Sequence, residues 1–293
     1  MTAAAPTRRS AHGHSVGPGV TFAHVVASEW IKLRSLRSTA WCFAVIVVIV
    51  VGFGALFASV ASGFEGMEAT AEQQQALGVQ VITIGVAFAQ LVAAVLGALV
   101  ITGEYGTGMI RSTFTAVPRR TPALVAKVLI VGVSTFVVSG LALVVAALVC
   151  TPLLSSSTGI ELDLGDTGLW WSLVGAAASV AMIAMISFGL GAVIRNGAGG
   201  IAASIGLVFV LPIIFTIGMA VIAEPWIYTL YEFTPPQAAT RVFEYQVEGS
   251  SMLTPPTVDD AVVLTPWQAL GVLAGWVVAL FVVAVAAVKR RDV

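Results

Sequence analysis

Six long apolar stretches, almost free of charge, constrain this chain more than any other feature. They run over roughly 38–61, 79–102, 123–150, 169–194, 198–222 and 266–288. A helix that crosses a bilayer needs about 20 mostly apolar residues, and each stretch reaches that length. Apart from Lys127, near the start of the third, none contains an Asp, Glu, Lys or Arg. An ionised side chain at a helix centre costs about 2.5–3.5 kcal/mol on insertion scales, so lipid-spanning helices require this sorting of charge. Composition agrees. Of the 293 residues, 58% are hydrophobic and 10% charged, against about 25% charged in an ordinary soluble domain. With a mean hydropathy of +0.98, too little polar surface remains to cover a soluble core. A cytosolic enzyme, a nucleic-acid binder and a disordered scaffold are excluded as classes.

The segments between the stretches set an orientation. Arg8, Arg9, Lys32, Arg34 and Arg37 precede the first, Arg111, Arg119 and Arg120 follow the second, Arg195 follows the fourth, and Lys289, Arg290 and Arg291 follow the sixth. With Lys127, 13 of the 14 basic residues fall on one side, and Arg241 falls on the other. The acids gather opposite: Glu65, Glu68 and Glu72; Glu161, Asp163 and Asp166; and six more in the fifth loop. The positive-inside rule makes the basic side cytoplasmic, with both termini inside. The expected fold is an all-α integral membrane protein with six transmembrane helices and an N-terminal amphipathic interfacial helix. Cys42 and Cys150 fall at opposite membrane faces, too far apart for a disulfide.

Residues 1–20 are rich in Ala, Ser, Gly and Pro with no apolar period, and read as a disordered cytoplasmic tail. Residues 21–293 form the membrane domain. From Phe22 to Arg37, the apolar Phe22, Val25, Val26, Trp30 and Leu33 recur at helical steps while Glu29, Lys32 and Ser35 take other faces. That pattern predicts an amphipathic helix lying in the inner interface, with Lys32, Arg34 and Arg37 beside anionic lipid. In the second loop, Thr107 is placed to cap a short helix running to about Val117, where Pro118 stops it. The apolar Met109, Ile110 and Phe114 beside the basic Arg111, Arg119 and Arg120 fit a docking surface better than a solvated loop. Thr121-Pro122 and Thr265-Pro266 supply starts for the third and sixth spans. Asn196, Gly197, Gly199 and Gly200 permit a tight reversal, and Pro212 predicts a kink in the fifth span. The fifth loop, about 223–264, is dense in aromatics. It reads as one or two short helices dipping into the outer leaflet, one starting at Thr234-Pro235-Pro236.

Catalytic and nucleotide motifs are missing: the sequence has no GxxxxGK[ST], HExxH or GxSxG pattern, and its three histidines all precede the first span. The chain is therefore expected not to be an enzyme and to bind no metal or cofactor itself. Gln90, Ser134 and Ser139 are candidates for a substrate path, against the plainer reading of interhelical hydrogen bonds worth about 0.6 kcal/mol each.

The stretches SEWIKLRSLRSTAW and GEYGTGMIRSTFTAVPRR and the ending KRRDV, in six-span order, resemble ABC-2 type transporter permeases of actinobacterial style. The resemblance runs from about Ala27 to the end. It implies the membrane half of an exporter in the bacterial cytoplasmic membrane, joined to a separate ATPase subunit that holds ATP and Mg, and to a second permease copy or paralogue. It implies that Glu29, Trp30, Lys32 and Arg34 belong to a connecting elbow helix. It also implies an ATPase-coupling loop formed by Glu104, Tyr105, Thr107, Met109, Ile110, Arg111, Phe114, Arg119 and Arg120. Substrates in the family range over drugs, antibiotics, lipids, polysaccharides and ions, and the weakly charged spans suit a hydrophobic or amphipathic one. Competing readings are a non-transporting ABC-2-like module in resistance or signalling, an intramembrane enzyme, and a secondary carrier. The last is disfavoured because no acidic group lies at mid-membrane.

Overall fold

The computed structural model describes residues 21–61, 70–116, 121–222, 224–247 and 262–290, with Arg111, Thr113, Phe114 and Ala116 as backbone only. The tail 1–20 and Arg119 and Arg120 lie outside these residues.

Helix α1, Phe22–Ser35, starts where the Thr21 side chain accepts from the backbone of His24. It buries Val25, Glu29 and Leu33, at steps of four residues, and leaves Trp30 and Ile31 exposed. The buried stripe is thus rotated from the one expected: Trp30 faces outward and Glu29 faces the bundle. Extended Leu36 separates α1 from α2, Arg37–Ser59.

The second stretch is two helices, α3, Ala71–Thr83, and α4, Val86–Thr107, broken at 84–85 but apolar and long enough together to cross a membrane. Thr70 and Gln73 form a reciprocal capping box at its start. At the break, a Cβ on Gly85 would come within 2.8 Å of the Ile49 carbonyl, so glycine lets α2 approach. Helix α5, Met109–Ala116, follows, and then α6, Thr121–Thr158. With 38 residues, α6 is about 57 Å long on a 1.5 Å rise, well beyond a hydrocarbon core of about 30 Å. It outruns the expected third span because Thr151, Ser157 and Thr158 bond carbonyls of the helix or of Ala58 on α2.

Asp166 caps α7, Thr167–Ile194. Arg195 then takes a left-handed conformation, φ 59°, and Asn196 caps α8, Gly197–Ile205. A π-helical segment, Gly206–Val210, joins α8 to α9, Leu211–Ile222. It lies just before Pro212, where a missing N–H would otherwise leave a carbonyl unpaired. Two short helices follow, α10, Pro225–Glu232, and α11, Pro235–Val242, each with proline in its first turn. The last is α12, Pro266–Arg290. Both cysteines are free.

Helices α4 and α7 form the centre, with α2 and α6 on one side and α8 and α12 on the other. Small residues allow this: a Cβ on Gly97 would sit 2.0 Å from the Ala184 carbonyl, and one on Gly191 would meet Ala98 and Ile101. Side-chain contacts define two ends. One gathers α1, the end of α4, the start of α6, the α7–α8 turn and the end of α12. The other gathers the start of α3, the segment before α7, α10, α11 and residues 262–265.

Candidate functional site

Four charged side chains meet at the first end. Lys127, in the second turn of α6, is buried and pairs with Glu29 of α1 and with Glu104 of α4, the latter at 2.7 Å. Lys32, one turn past Glu29 on α1, completes the group, 2.8 Å from Glu29 Oε1 and 3.3 Å from Glu104 Oε1. Two ammonium groups and two carboxylates thus sum to zero charge. Burial lowers the tendency of Lys32 to hold its proton, but its hydrogen bond to Glu29 and the charge of Glu104 outweigh that and leave its pKa raised. The four residues line a cavity of about 320 Å³ whose other walls include Leu33, Leu36, Val100 and Ile130.

Glu104 can reach this group because α4 continues past the end of its apolar stretch to Thr107. This corrects the expected start of a loop at Gly103: Glu104 is not at a loop opening but on a helix, facing inward. Thr107 likewise does not cap α5. Its hydroxyl bonds the Gly103 carbonyl within α4, and Gly108 ends α4 in a left-handed conformation, φ 72°. From that glycine α5 turns back. Ile110 anchors it in a cluster with Leu124 and Val128 of α6, while Met109 is 41% exposed. Tyr105 lies against Arg195, whose guanidinium carbon is 5.4 Å from the ring centroid and whose Nη2 donates to the Ala287 carbonyl of α12. The α4–α5 junction is therefore tied to α1, α6, the α7–α8 turn and α12.

Of the elbow residues, Glu29 and Lys32 join the cluster, whereas Trp30 and Arg34 are exposed. In α5, Arg111 and Phe114 are placed by backbone alone. The three candidate substrate-path residues sit in contacts within and between helices. Gln90 is buried and donates to Ser179 at 3.2 Å, joining α4 to α7; Ser134 bonds carbonyls of its own helix; Ser139 bonds Thr135 and, at 3.4 Å, Ala177 of α7. None of the three lines a cavity described here.

The second end carries its own polar groups. Arg241 of α11, 2% exposed, grips Glu232 through Nε and Nη2 and Glu244 through Nη1 at 2.7 Å. Asp166 accepts from the Tyr245 hydroxyl at 2.8 Å and from the backbone of Gly168 and Leu169. Gln75 bonds both backbone groups of Asp163.

The sequence profile of the ABC-2 family transporter proteins matches residues 23–293. The chain belongs to the ABC-2 transporter family. No curated protein matches it significantly. As an ABC-2 family chain whose described residues hold six helical stretches long and apolar enough to cross a membrane, it is a multi-pass membrane permease, and permeases of this family in general work with an ABC ATPase and are generally not themselves catalytic. The ABC-2 match covers all four clustered charges. Sequence reasoning placed Glu104, Glu29 and Lys32 among candidates but missed Lys127. The signal was there: Lys127 is the one charge inside the apolar stretches, and a buried ammonium must be paired. On the basic side the only acids are Glu29, Glu104 and Asp292, so its partners were nearly determined.

Proposed function

We propose that this chain is the permease subunit of an ATP-driven ABC-2 exporter in a bacterial cytoplasmic membrane, with both termini in the cytoplasm. A separate ATPase binds ATP and Mg, and a second permease copy or paralogue completes the assembly. The cargo is hydrophobic or amphipathic.

One observation carries the reading: the buried ionic group that ties α1 and α6 to α4 five residues before α5 begins. A helix meant to receive force from a soluble partner needs a stiff connection to the spans behind it. Ion pairs in a low-dielectric setting provide that connection, because breaking one leaves a charge buried alone. ATPase closure would press on α5, pivot it at Gly108 and pass the movement through Glu104 to Lys127, Glu29 and the rest of α1. The test is reconstitution of the chain with its ATPase in vesicles. Glu104→Gln is expected to lower transport-coupled ATP hydrolysis roughly fivefold or more while the ATPase still binds. Full coupling in that variant would contradict the proposal. A chain that binds the ATPase yet moves nothing across the vesicle would favour a non-transporting module.

A further inference from the structure

Two cavities flank the segment that follows α11 at the second end of the bundle. The larger, about 490 Å³, is walled by Phe57, Val79, Ala87, Leu154, Phe243 and Glu244. Its neighbour, about 470 Å³, is walled by Trp171, Val174, Ala178, Trp267, Leu270 and Glu244. Both sizes fall in the range of drug-sized ligand sites, roughly 300–1,000 Å³. Glu244 and Tyr245 line both. The walls are otherwise largely aliphatic and aromatic, so Glu244 dominates their electrostatics.

Glu244 is poised for a cation. Its side chain is nine-tenths buried. One carboxylate oxygen accepts from Arg241, and the other, Oε1, is buried with no hydrogen-bond partner among the described residues. Such an oxygen is unfavourable until something compensates it. Arg241 cannot do so alone, because Glu232 holds it through two nitrogens. One guanidinium between two carboxylates leaves the group at net −1. The surroundings add to this: among the described residues, Glu72, Glu161, Asp163, Asp166, Glu224, Glu232 and Glu244 lie in the segments at this end, with Arg241 as the one basic residue. Topology does not account for that excess, since acidic residues contribute little to the positive-inside rule. An anion would find no cation left to pair with.

We infer that the paired cavities around Glu244 form a binding site for a lipophilic monocation, its apolar groups on the cavity walls and its charge beside the Glu244 carboxylate. As the cargo class of the exporter this rests on the function proposed above. As a binding site it does not, and the two are tested apart.

The experiment is calorimetric titration of the purified chain in nanodiscs of zwitterionic lipid, with empty discs as background. The probes are tetraphenylphosphonium and tetraphenylborate, which match in shape and differ in charge. Saturable binding of the cation alone is expected. Glu244→Gln should weaken it about tenfold or more. Because Glu244→Gln also disturbs Arg241, Ala87→Phe with Ala178→Phe provides the second variant: it fills both cavities, leaves the ion pairs intact, and should remove saturable binding. Equal saturable binding of both ions, no saturable binding of the cation, or undiminished binding in the variants would overturn the inference. Saturable cation binding without ATP-driven efflux would instead sink the exporter reading and leave the site standing.

Discussion

Lys127 shows how much a single residue decides here. Alone in a buried setting its ammonium would be costly, and with Glu29 and Glu104 it closes a neutral group. Lys127→Met should therefore cost about 3–5 kcal/mol, read as a lowered unfolding midpoint in detergent, because two carboxylates lose their main partner. Adding Glu29→Gln and Glu104→Gln should restore most of the loss; no recovery would mean that the cluster does not act as a unit. At the opposite end, burial raises the Asp166 carboxyl, but the backbone of Gly168 and the Tyr245 hydroxyl outweigh it and leave its pKa lowered. Burial, the same hydrogen bond and the charge of Asp166 push the Tyr245 phenol up to about 12. The lowered carboxyl stabilises the fold above its unfolded value, and that contribution is lost as pH falls through the folded value. The raised phenol stabilises it below an ordinary value of about 10, and that contribution is lost as pH rises through about 12. A phenolate absorbance titration should show a component near 12 that Tyr245→Phe removes. A titration unchanged by the substitution would break the assignment. The Tyr245–Asp166 partnership was not legible in the sequence, since 79 residues separate the two, whereas the isolation of Lys127 in an apolar stretch was plain to read.

At the scale of elements, the apolar stretches announced six helices because a membrane leaves the backbone few alternatives. Their ends were less readable. Hydropathy stops at Thr102, yet α4 runs on to Thr107, since Glu104 and Tyr105 find partners that let a polar turn stay helical. The rotation of α1 is not legible in the sequence for the same reason: Glu29 looks like a surface residue until Lys127 is placed opposite it. Glycines mark where helices touch. Gly97→Ala should destabilise the bundle by about 1–3 kcal/mol, because the new methyl would press on the Ala184 carbonyl; wild-type thermal stability would show that α4 and α7 have room to separate. Gly108 has open space around it, so Gly108→Ala brings backbone strain without a clash. The cost is about 1–2 kcal/mol, confined to the α4–α5 junction. Amide exchange should therefore rise in α5 and stay unchanged in α7, and exchange rising equally in both helices would argue that the junction is not an independent pivot.

The whole molecule is polarised along the bundle. Among the described residues, one end holds the neutral buried ionic group, α5 and all the basic residues but Arg241, and the other holds all the acids but Glu29 and Glu104, with α10, α11 and the two cavities around Glu244. That division was visible in the sequence as charge sorting, though the grouping of Glu29, Lys32, Glu104 and Lys127 from three separate helices required the fold. The account rests on the basic end being where a soluble ATPase docks. A photo-crosslinking residue placed at the exposed Ser112 of α5 tests this directly, with Trp226 of α10 as the control position. After irradiation of native membranes, the account predicts that Ser112 captures a soluble protein carrying a glycine-rich phosphate-binding loop and that Trp226 does not. Capture of that protein from Trp226, or of no ATPase from Ser112 in an intact bundle, would contradict it.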